Sequence, residues 1–164
     1  MDTIFAPLTP VVNSAVILVR ISGNLVKKAF SLLTRFSDGS PVNFESLRVY
    51  HCNFCVDGVA IDDVGAYFFQ SPNSYTGEDV LEISFHGNPK IVSLAFNEFL
   101  KLGFRFAEPG EFTKRAFLNG KIDLSQAEAV AELINAKSKY AIACSYKQLK
   151  GGVKGDLSVI KNML

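Results

Sequence analysis

Two long β-prone runs, Leu47 to Val56 and Val59 to Phe69, meet at Asp57-Gly58. Asp-Gly readily adopts left-handed backbone at both central turn positions, so this dipeptide predicts a two-residue hairpin with antiparallel arms. Long antiparallel strands need a sheet to belong to, and the flanking sequence supplies its other parts. Ala15 to Ile21 is an aliphatic run broken only by Arg20, which reads as a buried strand carrying one polar side chain that must find a partner. Glu78 to His86 alternates, so Leu81, Ile83 and Phe85 face a core while Glu82, Ser84 and His86 share the opposite face. The polar loop before it, Gln70 to Gly77, carries Pro and Gly.

Helical spacing fills the intervals. Ser22-Gly23-Asn24 opens a predicted helix with Leu25, Val26, Ala29, Phe30, Leu32 and Leu33 on its apolar side. Asn88-Pro89 supplies an N-cap and first-turn proline for a second helix running to Leu102 and stopped by Gly103. Phe104 to Phe106 reads as a short strand, Pro109-Gly110 as a turn and Glu111 to Leu118 as a short helix. Asp123 with Gln126 resembles a capping box opening one long helical segment towards Leu149. The pattern resumes at Val153, Leu157, Ile160 and Leu164 after Gly151-Gly152, and the amphipathic end reads as cut. The fold class expected is therefore α/β (α+β), a mixed sheet with packed helices over residues 1–119, followed by an incomplete all-α segment, 120–164.

Charge and cysteine usage narrow the setting. From Lys137 onward there are six lysines against one acid, so the remainder is net −4 although the chain is only +1. Lys147, Lys150, Lys154 and Lys161 could form a basic stripe if the helix is continuous; a solvated face is the reading favoured. No stretch is long and apolar enough to span a membrane, Asp2 leaves no basic leader, and three cysteines fit a reducing compartment, so a cytoplasmic location is expected. Cys52 and Cys55 form a lone CxxC within a strand and point to opposite faces, which favours small buried side chains over a metal site. His86 beside a glycine reads as a structural hydrogen-bonder rather than an acid or base, and Glu111 with Arg115 as an intrahelical pair.

Three segments carry a family likeness: Val19 to Gly23 (VRISG), Ser71 to Gly87 (SPNSYTGEDVLEISFHG) and Glu108 to Leu133 (EPGEFTKRAFLNGKIDLSQAEAVAEL). In order and spacing the chain resembles the N-terminal part of the MnmE (TrmE) family of tRNA-modification GTPases, from Asp2 onward. The resemblance implies a cytoplasmic parent enzyme that modifies the wobble uridine of certain tRNAs, by carboxymethylaminomethyl addition at U34, with the flavoprotein partner MnmG (GidA). It also implies a homodimer formed through the N-terminal domain and a bound tetrahydrofolate derivative, 5-formyl- or methylene-tetrahydrofolate. The folate contacts carried over are Arg20, Glu82 and Lys121. Glu82 would accept the paired donors of the pterin edge, and Arg20 and Lys121 would meet the tail carboxylates or a ring carbonyl.

The chain departs from the family pattern after Thr9-Pro10, where Val11-Val12-Asn13-Ser14-Ala15 replaces a Gly- and Arg-containing turn, and at Asn88, where a glycine is common. It contains no GxxxxGK[ST] loop and no CxGK ending, so GTP with its Mg and K ions belongs to a GTPase domain outside this sequence, and the chain alone is not expected to be catalytic. Two rival readings stand beside this one. One is a stand-alone folate-dependent enzyme resembling aminomethyltransferases; the other is a dimerisation module whose folate site has decayed.

Overall fold

The Asp57-Gly58 turn forms as the sequence predicts: both residues have positive φ, +48° and +78°, which matches the twist of the strands they join. Those strands are β4 (Arg48–Val56) and β5 (Val59–Phe69), antiparallel, with a register shift at Phe54/Cys55 that leaves Ile61 as an extra residue on β5. The computed structural model describes residues 2–151, which divide into two compact units between Phe112 and Thr113.

The first unit is a mixed sheet backed by a helix. Its remaining strands are β1 (Ile4–Pro7), β2 (Ser14–Ser22), β3 (Leu33–Thr34), β6 (Val80–Gly87) and β7 (Arg105–Phe106), in the order β3-β4-β5-β6-β2-β1-β7. Every pairing is antiparallel except β1 with β7. Helix α1 (Pro89–Lys101) starts where Asn88 accepts a hydrogen bond from the Lys90 amide and ends at Gly103, whose φ of +85° favours glycine. Its Val92, Ala95 and Phe99 join Phe5, Ile17, Val19, Ile21, Phe54, Leu81, Ile83 and Phe85 in the core. The alternation in β6 is as expected, with Leu81, Ile83 and Phe85 almost wholly inaccessible and Glu82, Ser84 and His86 on the other face.

Two expectations need correction. The segment after Gly23 is not an α-helix but a 3-10 helix, Val26–Leu32, because Leu33 and Thr34 are drawn into the sheet edge opposite Phe54 and Asn53. Phe30 still packs on the core, against Phe44 and Phe68 at centroid distances of 4.5 and 5.1 Å. The expected single helix from Leu124 to Leu149 is two, α3 (Leu124–Asn135) and α4 (Lys139–Leu149). Ser138 breaks the run by accepting from the Ala141 amide as a new N-cap, while Ala136 is extended.

The second unit contains these helices, and helix α2 (Glu111–Leu118) crosses the division between units. The capping box is complete: Asp123 accepts from the Gln126 amide at 2.9 Å and the Gln126 side chain accepts from the Asp123 amide at 3.0 Å. Gln126 also donates to the Leu149 carbonyl and Gln148 to the Ser125 carbonyl, so α3 and α4 are tied end to end as a hairpin. Of the lysine stripe, Lys147 is on α4 and Lys150 is its C-cap; Lys154 and Lys161, with the apolar positions from Val153 onward, lie outside the described residues. Among the described residues no helix is long and apolar enough to cross a membrane.

Candidate functional site

The face of the sheet turned away from α1 carries the polar residues that the sequence placed there. Pairing sets Arg20 of β2 opposite Glu82 of β6, and Glu82 opposite Tyr67 of β5. Cross-strand partners bring their side chains within reach of each other, and the Arg20 guanidinium meets Glu82 through Nε at 2.8 Å and Nη2 at 2.7 Å. Both bonds converge on Oε1. Among the described residues Oε2 of Glu82 has no hydrogen-bond partner, and the two side chains retain 17% and 18% of their exposure. A carboxylate so held is half committed: one oxygen is fixed by a charge-assisted pair and the other is available to an incoming donor.

Two aromatic rings brace the cation. The Arg20 guanidinium carbon lies 4.9 Å from the centroid of Tyr75 and 5.3 Å from that of Phe112. Tyr75 sits on the Gln70–Gly77 loop, which is pinned at several points. Ser22 Oγ and Thr76 Oγ1 lie 2.7 Å apart, both fully buried, and Ser22 Oγ donates to Glu78 Oε2 at 2.7 Å. Ser71 donates its amide to Asp79 and its hydroxyl to the Gly77 carbonyl, and the Ser71–Pro72 peptide is cis. The sequence alone did not single out either ring. The available signal was an aromatic residue within a loop that otherwise consists of small and polar side chains.

Further along the same face lies a groove of about 320 Å³ whose lining includes His51, Asp63, Gly65, Tyr67, Ser84 and His86. His86 Nδ1 is 2.7 Å from Asp62 Oδ1, and the His86 amide donates to Asp62 Oδ2 at 2.9 Å. His51 Nε2 is 2.7 Å from Asp63 Oδ1. The hydrogen bond to Asp62, reinforced by its charge, holds the His86 imidazole above its ordinary value of 6.5. A raised folded-state value means that His86 contributes stability that is fully present below the unfolded value and is lost as pH rises through the folded one. The His86 ring resonances are therefore expected to titrate above pH 6.5 by NMR, and Asp62→Asn to move the midpoint back down. An unmoved midpoint in the variant would remove Asp62 as the cause.

The other candidates are placed as follows. Cys52 is buried, and burial pushes its thiol up to about 12. Cys55 lies 3.4 Å from the Thr34 hydroxyl. Among the described residues no group of three His, Cys, Asp or Glu side chains is arranged to hold a metal ion. Glu111 forms a two-pronged pair with Arg105, at 2.6 and 2.8 Å, an ion pair that the sequence reading, which matched Glu111 with Arg115, did not foresee. Lys121 belongs to the second unit, where it follows Gly120 at the C-terminal turn of α2 and donates its amide to the Ala116 carbonyl at 2.9 Å.

The chain was compared with known proteins. Residues 3–121 match the family model described as GTP-binding protein TrmE N-terminus. The chain is 44% identical to a protein named tRNA modification GTPase MnmE from Thermotoga petrophila, over 100% of this chain and 36% of that protein. Identically named proteins from Aquifex aeolicus and Francisella philomiragia are 42% and 44% identical, over 99% and 96% of this chain and 36% and 34% of theirs. The chain thus spans about a third of the length of the curated relatives it matches. With the family model covering most of the chain and relatives matching it from end to end, the chain belongs to the TrmE (MnmE) N-terminal-domain family.

Proposed function

We propose that this chain is the folate-binding and dimerising part of a cytoplasmic tRNA-modification GTPase that acts on the wobble uridine U34 together with the flavoprotein MnmG. Its one-carbon donor would be a tetrahydrofolate derivative, and the GTPase chemistry would belong to sequence outside this chain. The observation that carries the folate reading is the half-committed carboxylate of Glu82, held by Arg20 and open at Oε2. A pterin edge offers an amino group beside a ring N–H, and an anchored carboxylate is a matched acceptor for such donors. Orientation is supplied in advance: Arg20 is paired with Glu82 and its guanidinium contacts the Tyr75 and Phe112 rings, so less side-chain freedom remains to be lost on binding. Lys121 enters the proposal from the family resemblance as a third contact.

Calorimetric titration with 5-formyltetrahydrofolate tests this directly. The wild-type chain is expected to bind, and Glu82→Gln, which keeps the shape but removes the charge, to weaken binding by roughly 10- to 100-fold, the range for hydrogen bonds to a charged group. A folded, dimeric wild type that shows no heat of binding would overturn the folate reading and leave dimerisation as the function of this unit.

A further inference from the structure

Arg105 touches neither Arg20 nor Glu82, yet its contacts lead to them. It belongs to β7, which runs parallel to β1 at the sheet edge, its amide donating to the Thr3 carbonyl at 3.1 Å and the Ala107 amide to the Phe5 carbonyl at 2.9 Å. The Phe106 ring lies 4.4 Å from that of the fully buried Phe5, so the backbone carrying Arg105 is well fixed. From this platform every guanidinium N–H finds an acceptor. Nε donates to Asp2, Nη1 to the Phe106 carbonyl and Glu111, and Nη2 to Asp2 and Glu111.

Glu111 passes that grip on. Its side chain keeps only 11% of its exposure, and Oε1 and Oε2 meet Nη2 and Nη1 of Arg105 at 2.6 and 2.8 Å. Oε2 also accepts from the Glu108 amide at 2.9 Å, while the Glu111 amide donates to the Glu108 carbonyl at 3.0 Å. The first residue of α2 is thus held by both its main chain and its carboxylate. Phe112 comes next, and its ring centroid lies 5.3 Å from the Arg20 guanidinium carbon. A single peptide unit therefore separates the Arg105 clasp from a ring that touches the anchor. Tyr75, the other ring against Arg20, is on a loop held by its own hydrogen bonds, so Phe112 is the contact that Arg105 governs.

We propose that Arg105 is a positioning residue for the Arg20–Glu82 anchor: by holding Glu111 it sets Phe112 against the Arg20 guanidinium. The inference rests on the folate reading above, under which that anchor is what the ligand meets. Stabilising the fold is the alternative role for such a clasp, and exposure argues against it. The Arg105 and Asp2 side chains are 44% and 54% exposed, where ion pairs add little to folding. Removing the Arg105 charge should leave the fold standing and act locally. Glu111, deprived of its two-pronged partner in a nearly buried position, is expected to turn towards water and draw the start of α2 with it. Phe112 then withdraws from the guanidinium, and Arg20 regains freedom that binding must remove.

The test follows binding, stability and ring position separately in the full chain. Arg105→Gln and Glu111→Gln are each expected to weaken 5-formyltetrahydrofolate binding by about 3- to 30-fold in calorimetry, the range for side chains that act through a neighbour, with urea midpoints close to wild type. Asp2→Asn, which alters the clasp without changing Glu111, should bind as wild type does. The chain has no tryptophan, so Phe112→Trp supplies a single emission at the contact itself. Adding Arg105→Gln should shift that emission to the red and raise its quenching by acrylamide, and Arg105→Lys, which keeps the charge, should recover part of the protection. Wild-type affinity in both Gln variants, or an emission that does not move, would overturn the positioning role while leaving the folate reading intact. So would affinity that falls only as far as the urea midpoint falls, or that Asp2→Asn lowers equally, because the clasp would then be structural. A folded wild type that binds no folate would overturn both.

Discussion

Phe99→Ala is expected to cost the first unit about 3–5 kcal/mol, the range for emptying a buried aromatic site. Phe99 is completely buried on the inward face of α1, and its ring meets Phe5, Phe54 and Phe104 at centroid distances of 5.2, 6.0 and 6.2 Å. Phe5 is on β1 and Phe54 on β4, so this one side chain bridges strands from both halves of the sheet. Its neighbours are themselves in ring contact, Phe5 with Phe96 and Phe106 and Phe54 with Phe85, which resists collapse into the space left behind. Domains are stable by only about 5–15 kcal/mol, so the loss is a large fraction of the whole. Urea unfolding followed by circular dichroism should show a much lower midpoint with an unchanged slope, and Phe99→Leu should fall between. A midpoint within error of wild type would mean that α1 does not organise this core.

How much of this was readable beforehand depends on how local each signal is. The hairpin turn and the start of α1 were legible because Asp57-Gly58 and Asn88-Pro89 each determine backbone within a few residues. The two helical corrections are also local in cause, but the competing signal was weak. Ser138 offered a cap within an Ala-rich run, and the 3-10 segment kept helical spacing while its end was claimed by a distant strand. Residue faces in the site were legible too, since period two puts Glu82, Ser84 and His86 together. The identity of the Arg20 partner was not, because it depends on β6 lying beside β2 at one register, a fact of topology. Asp62 and Asp63 were missed for the same reason: each meets a histidine on a different strand, and neighbouring residues in sequence serve different neighbours in space.

The tightest constraint on the site's frame is a glycine, and Gly87→Ala should be about as damaging as the loss of a core ring. Gly87 ends β6 opposite Ser14, where β2 shifts register before Val16. The shift brings the Ser14 main chain so close that a Cβ at residue 87 would lie 2.0 Å from its carbonyl oxygen and 2.3 Å from its carbonyl carbon. Those are backbone atoms and no rotamer change relieves them, so β2 and β6 must separate at this end. Replacing glycine with alanine ordinarily gains about 0.4–1 kcal/mol by restricting the unfolded chain, but overpacking costs about 1–3 kcal/mol even when side chains can adjust. Here they cannot, so the sign is set by the clash, and the effect should reach or exceed the upper end of that range. The displacement also falls beside His86 and Val16, at the end of the groove farthest from Glu82. Stability equal to wild type would show that β2 and β6 part there at no cost, and that this junction does not hold the sheet.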